Sequence, residues 1–185
     1  MLNYYSGGTN TLAEGQEVET DLPLPTKVGA GFAYSGIPNL LISADVAFIQ
    51  WSSWDVIDIN TSEGQVYSQL VENWEDGIRV GLGLEYSLSS IKLRGAFYTE
   101  PQAAIAATMS PTIPDAGRRN VVIVGAEVPV GPVRLLASFE KMFIGDMEVT
   151  EWVLMEDQSG YDNMAGTYQM DVTNIMVGME YPLNF

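Results

Sequence analysis

Hydrophobic and polar residues alternate with a period of two along most of this chain. The clearest stretch is Gly77–Leu88, where Ile78, Val80, Leu82, Leu84, Tyr86 and Leu88 interleave with Gly77, Arg79, Gly81, Gly83, Glu85 and Ser87. Such alternation predicts a strand with one apolar and one polar face. Twelve residues exceed the usual five or six of a soluble strand, and match the roughly 9–11 of a strand crossing a bilayer at a tilt. The same pattern predicts strands at 27–35, 40–51, 91–98, 133–143 and 168–185, and a weak one at 16–22. In 120–128 both faces are apolar, so the alternation leaves open which one points inward.

The connections alternate in length. Short turns are expected at 36–39, 89–90 and 129–132, and long segments at 52–75, 99–118 and 144–167. Short turns at one end and long loops at the other are the layout of an outer-membrane barrel. In lipid every backbone donor must be paired within the protein, and among sheets only a closed barrel achieves this. The expectation is an all-β, antiparallel meander forming a transmembrane β-barrel, with about eight strands in this chain. A soluble barrel or sandwich also alternates. Against it stand the strand lengths, the one-sided loops, and the Lys, Arg, Asp and Glu opposite the apolar rows.

Composition sharpens this picture. The chain is 46% hydrophobic and only 17% charged, against about 25% charged in ordinary soluble domains. The longest uncharged run, 28–44, is broken by Gly36-Ile-Pro-Asn39, so it reads as a hairpin and not a membrane helix. A net charge of -16 argues against nucleic acid as a partner. The absence of Cys and His excludes disulfides, thiol nucleophiles and His-based catalysis or metal binding, so neither enzyme activity nor a cofactor is expected. The first residues lack the basic and apolar regions of a secretory signal, and residues 1–13 are expected to be a flexible lead-in to a single domain covering 1–185. With the strand pattern, this favours a mature or truncated piece of a bacterial outer-membrane protein.

Several motifs carry a resemblance. Leu22-Pro-Leu-Pro25 precedes a strand. Trp51-Ser-Ser-Trp54, Trp74-Glu-Asp-Gly-Ile-Arg-Val-Gly-Leu-Gly83 and Pro111-Thr-Ile-Pro-Asp-Ala-Gly-Arg118 follow, and the last strand ends on Phe185. In this order they resemble the C-terminal half of the outer-membrane long-chain fatty acid transporters (FadL-like proteins). The resemblance implies a 14-stranded barrel with an N-terminal hatch. Such a barrel would carry hydrophobic molecules, long-chain fatty acids among them, through a pocket to an opening in the wall. The hatch and the early strands have no counterpart in this sequence. The remainder would come from an N-terminal half or from self-association with another copy.

Candidate binding residues follow from the faces. Arg79 and Arg94 lie on the polar face with Lys92, Arg134, Asp45, Glu85 and Glu140. They form a lattice of interior ion pairs, or one of them holds a carboxylate head group. Arg118, beside Arg119 and Asp115, would do the same at the mouth, anchor its loop, or meet acidic lipid head groups. Trp54 and Trp74, with Trp51, Tyr98 and Phe143, fall near strand ends, where an interfacial girdle is expected and ligand stacking is the alternative. Tyr181, Leu183 and Phe185 resemble the terminal signal read by barrel-assembly machinery. The acidic 148–162 segment matches no calcium loop. The function expected is passive uptake of a hydrophobic small molecule or fatty acid through the outer membrane. The alternative is a partial barrel serving as an anchor or scaffold without transport.

Overall fold

The computed structural model describes residue 15 and residues 17–109, 115–150 and 165–181. Strands dominate. β1 (Val18–Thr20), β2 (Lys27–Ile37), β3 (Leu40–Ile49), β4 (Val56–Thr61), β5 (Val66–Val71), β6 (Gly77–Leu88) and β7 (Ile91–Glu100) come first. They are followed by β8 (Arg119–Val130), β9 (Val133–Ile144), β10 (Met147–Val149), β11 (Gly166–Tyr168) and β12 (Asp171–Glu180). The only helical pieces among the described residues are short 3-10 turns at Trp51–Ser53 and Ala106–Thr108.

The seven long strands form one antiparallel sheet in the order β12-β9-β8-β7-β6-β3-β2. Chain neighbours are sheet neighbours, as a meander requires, except that β4 and β5 leave the sheet between β3 and β6, and β10 and β11 leave it between β9 and β12. The edges β2 and β12 do not pair with each other, so the sheet is curved but not closed. Its tight turns fall where the alternation breaks. Asn39 and Ser89 adopt left-handed φ values of 64° and 57°, and Gly131 one of 60°. Asn and Gly suit that region, because their side chains relieve or remove the Cβ clash.

Register carries the faces from strand to strand. Val46↔Val80↔Thr99↔Asn120↔Phe143↔Asp171 forms one cross-strand row, and Ala44↔Leu82↔Phe97↔Val122↔Lys141↔Thr173 the next. Below them every outward position is apolar, and these side chains are exposed: Ile175 at 75% and Val177 at 80%. Water would penalise so large an apolar surface by roughly 25 cal/mol per Å², whereas hydrocarbon would not. The register also settles 120–128: Val122, Val124 and Ala126 share the outer face with Phe97 and Phe139, and Val121, Ile123, Gly125 and Glu127 look inward.

The structure corrects the expected strand count. The weak segment 16–22 supplies no eighth wall strand. Val18–Thr20 instead pairs with β4, Val18 opposite Thr61, in a three-stranded sheet β1-β4-β5. The long segment 52–75 therefore contains a hairpin, which the sequence reading passed over because each strand has only six residues. The last strand is likewise divided. Gly166–Tyr168 pairs with β10, while Asp171–Glu180 joins the wall. Residues 1–13 lie outside the described residues.

Two small cores sit at the long-loop end. Trp74, Ala103 and Ala104 are buried against Trp51 and Trp54. Met109, Ala116, Met147 and Val149 are buried against Ala106, Ile144, Tyr168 and Met170. Gly117 makes the second possible, since a Cβ there would fall 2.2 Å from the Gly145 carbonyl oxygen. Asp115 ties these loops to the wall. Its Oδ2 accepts the Ala103 N–H at 2.5 Å and the Ala104 N–H at 3.2 Å, and its Oδ1 accepts Arg119 Nη1 at 2.7 Å.

Candidate functional site, an apolar groove on the inner face

Curvature turns the inner face into a groove of about 560 Å³, reached from both ends of the sheet: Leu41 and Ser43 on β3 line it, as do Met176 and Gly178 on β12. Its floor is small because β6, β7, β8 and β9 present Gly83, Ala96, Gly125 and Ser138 there. Leu41, Ile123, Leu136 and Met176 supply the apolar walls. A volume of a few hundred Å³ with apolar walls and few polar groups is the usual form of a small-molecule site.

Glu85 and Arg94 are the only charged residues lining the groove, and each is already paired. Arg94 Nε donates to Glu85 at 2.7 Å and Arg94 Nη2 to Glu127 at 2.5 Å. Lys92 adds a contact to Glu85 at 3.2 Å, and Arg134 pairs with the other oxygen of Glu127. Glu127 is only 4% exposed, so the two guanidinium groups offset what would otherwise be a costly buried carboxylate. Residue alternation brings this chain of charges together from four adjacent strands. The expected interior ion-pair lattice is therefore present around Arg94. Its hub, Glu127, was missed in the sequence because both faces of its strand are apolar.

Arg79 differs. It sits on the inner face of β6, nearer the long-loop end, with its guanidinium carbon 4.3 Å from the centre of the Tyr98 ring. Among the described residues its buried Nε has no hydrogen-bond partner, and no carboxylate lies within ion-pair distance. Four residues of strand, roughly 13 Å, separate it from Gly83 in the groove floor.

The other candidates are placed apart from the groove. Trp54 and Trp74 pack on each other at 4.7 Å between centroids, and Trp51 meets Trp74 edge-on at 5.3 Å. Trp74 is buried, and Trp54 Nε1 donates to the Pro23 carbonyl at 2.6 Å, so Leu22-Pro-Leu-Pro25 is held against this cluster. The tryptophans thus form a loop core where a lipid-facing girdle was expected. Tyr98 faces inward, and of the five aromatics only Phe143 stands on the outer face, exposed. Arg118 is exposed, with Nη1 3.3 Å from the Thr99 hydroxyl, while its neighbour Arg119 is taken by Asp115. Tyr181 follows β12 and is exposed. Leu183 and Phe185 lie outside the described residues, as does most of the acidic 148–162 segment. Among the described residues no group of three or more His, Cys, Asp or Glu is placed to hold a metal.

One buried acid escaped the sequence reading. Glu72, between β5 and β6, is 8% exposed and forms no salt bridge among the described residues. Burial pushes its carboxyl above the usual range, and the nearby Trp74 indole opposes this only in part.

The sequence model for the outer membrane protein transport proteins (OMPP1/FadL/TodX) matches residues 2–185. The chain belongs to that family. Membership in the OMPP1/FadL/TodX family accounts for the exposed apolar outer face and places the chain among outer-membrane transport proteins. Among solved structures, the chain is similar to a FadL homologue from Pseudomonas aeruginosa, with a TM-score of 0.65 and 15% sequence identity. That match covers 88% of this chain but 35% of the homologue, so this chain spans about a third of its relative. At this identity the likeness concerns the fold: the open seven-stranded sheet corresponds to part of a FadL-type β-barrel wall. No curated protein matches the chain.

Proposed function

We propose that this chain forms part of the wall of a passive uptake path for hydrophobic small molecules, with long-chain fatty acids as the fitting ligands. One observation carries this reading: the inner face offers an apolar groove whose own charges are already paired, with an unpaired cation, Arg79, above it. A long alkyl chain would lie along Leu41, Ile123, Leu136 and Met176, and its carboxylate would reach Arg79, whose Nε–H is free to donate a charge-assisted hydrogen bond. Arg94 fits that role less well, because Glu85 and Glu127 occupy its donors. Movement would be diffusion down a gradient, with no covalent chemistry and no cofactor.

The partners consistent with this reading are the hydrophobic ligand, outer-membrane lipid, the barrel-assembly machinery that would read the terminal strand at Tyr181, Leu183 and Phe185, and whatever strands complete the sheet. The unpaired edges of β2 and β12 favour a second reading, in which the chain is a partial barrel acting as anchor or scaffold until an N-terminal half or another copy closes it. Binding of a fluorescent long-chain fatty acid to the full chain in detergent micelles separates the two. Saturable binding displaced by unlabelled fatty acid supports uptake; its absence in folded protein leaves the scaffold reading.

A further inference from the structure

The outer face of the seven-stranded sheet carries almost no charge, and what it carries is all at one end. Reading across the register, the outward positions of the seven strands hold two charged residues, Lys141 on β9 and Asp171 on β12. Arg118, one residue before β8, joins them on this side through its contact with Thr99. The outward polar residues Thr99, Asn120 and Thr173 lie in the same two rows, next to the long loops. From Leu84, Gly95, Val124, Phe139 and Ile175 to the tight turns the face is wholly apolar or aromatic. This is a boundary between hydrocarbon and head groups, drawn by the side chains.

The charges at this boundary have a sign. Lys141 leans toward the long-loop end, its Nζ bonding Asp171 and, at 3.1 Å, Thr173, as a lysine does when its stem stays in an apolar layer and its ammonium seeks the polar one. Arg118 is exposed and, among the described residues, has no carboxylate within ion-pair distance; Thr99 holds one of its five donors. In a chain of net charge -16, six of the eight cations are on the inner face, and four of those six are ion-paired. An unpaired arginine kept at the outer rim among Thr99, Asn120 and the Lys141–Asp171 pair is complementary to an anion carried by the membrane itself. We infer that this rim binds the phosphate of an anionic lipid head group in the leaflet facing the long loops, with Arg118 as the main contact and Lys141 as the second. The inference rests on the membrane-spanning reading of the sheet, and not on what the groove transports.

The test compares lipids that share acyl chains and differ in head group. The full chain, folded in dodecyl maltoside, is titrated with phosphatidic acid and with phosphatidylcholine, and bound lipid is counted by native mass spectrometry. Arg118 alone predicts a preference for phosphatidic acid of about fivefold, rising to about 30-fold where Lys141 turns from Asp171 to the lipid; R118Q should reduce it about fivefold and R118Q/K141Q should nearly abolish it. K27Q, which removes a cation from the inner face, should leave the preference unchanged. N120D adds an anion to the same rim without disturbing an ion pair, and should weaken binding if the double variant fails to fold. Equal binding of the two lipids by the wild-type chain would overturn the inference, as would a K27Q effect equal to that of R118Q. A chain that never acquires heat-modifiable mobility in detergent would overturn it together with the membrane reading, whereas failure to bind fatty acid would not touch it.

Discussion

Arg79 lies over the ring of Tyr98, its guanidinium carbon 4.3 Å from the ring centre, while its buried Nε has no acceptor. The ring's negative face orients the cation but carries no net charge, so it leaves the guanidinium able to take a carboxylate. Arg94, 15 residues on and also on the inner face, spends its donors on Glu85 and Glu127. Two arginines that look equivalent in sequence thus have opposite availability.

Replacing Arg79 with Leu should separate them. A hydrogen bond to a charged group contributes about 1.5–3 kcal/mol, so affinity for a long-chain fatty acid should fall at least about 10-fold. Affinity for the fatty alcohol of equal length should stay within about twofold, since only the head-group contact is lost. Competition against a fluorescent fatty acid in micelles measures both; equal losses for acid and alcohol would remove Arg79 from head-group recognition.

Arg94→Leu should act on stability. It leaves Glu85 with Lys92 alone and Glu127, 4% exposed, with Arg134 alone. Breaking a fully buried pair is strongly destabilising; the exposure of Arg94 and the partners left to both carboxylates keep the expected loss well below that, but still a clear drop in stability. The urea midpoint of the folded, fast-migrating gel band reads this loss, and adding Glu127→Gln should recover part of it.

Gly178→Phe should fill the groove without straining the wall. A Cβ at Gly178 meets nothing closer than Leu136 Cβ at 3.9 Å, an ordinary contact, and the position faces inward. Binding of a long alkyl ligand should weaken about 10-fold or more as the ring displaces it, with the thermal midpoint changed by less than about 3 °C. Unchanged binding would place the ligand elsewhere.

Glu72 sets a pH dependence at the long-loop end. Burial raises its carboxyl above the 4.5 of an unfolded chain, so the folded state keeps its proton to higher pH than the unfolded state does. Between those two values the folded state binds more protons, and stability therefore falls as pH rises. Glu72→Gln, which cannot ionise, should raise the thermal midpoint at pH 8 and flatten its decline above the range in which the unfolded carboxyl titrates. A variant with the wild-type pH profile would rule out Glu72 as the source.

Much of this architecture was legible along the chain. Alternation is a local property, because successive Cβ atoms of a strand point to opposite faces whatever the strand pairs with. It therefore gave Gly77–Leu88 its extent and face, placed strands at 27–35 and 133–143 within two residues of their ends, and turn chemistry at 36–39 and 129–132 gave their connections. The same locality limited the reading. In Val18–Thr20, Val56–Thr61 and Val66–Val71 the repeats are too few to assign a partner, so only three-dimensional pairing shows that they make a separate sheet.

What the sequence by itself determined is a meander of long antiparallel strands with an apolar outer face, because that information is written residue by residue. The tertiary structure decided which charges are spent and which remain. Glu127 meets Arg94 from 33 residues away, Asp115 binds Arg119 and the Ala103–Ala104 backbone, and the three tryptophans close on one another across the loops. Among the described residues, Arg79 and Arg118 are left without carboxylates. Pairing of this kind depends on which strands become neighbours and in what register, and no local pattern of hydrophobic and polar positions encodes that.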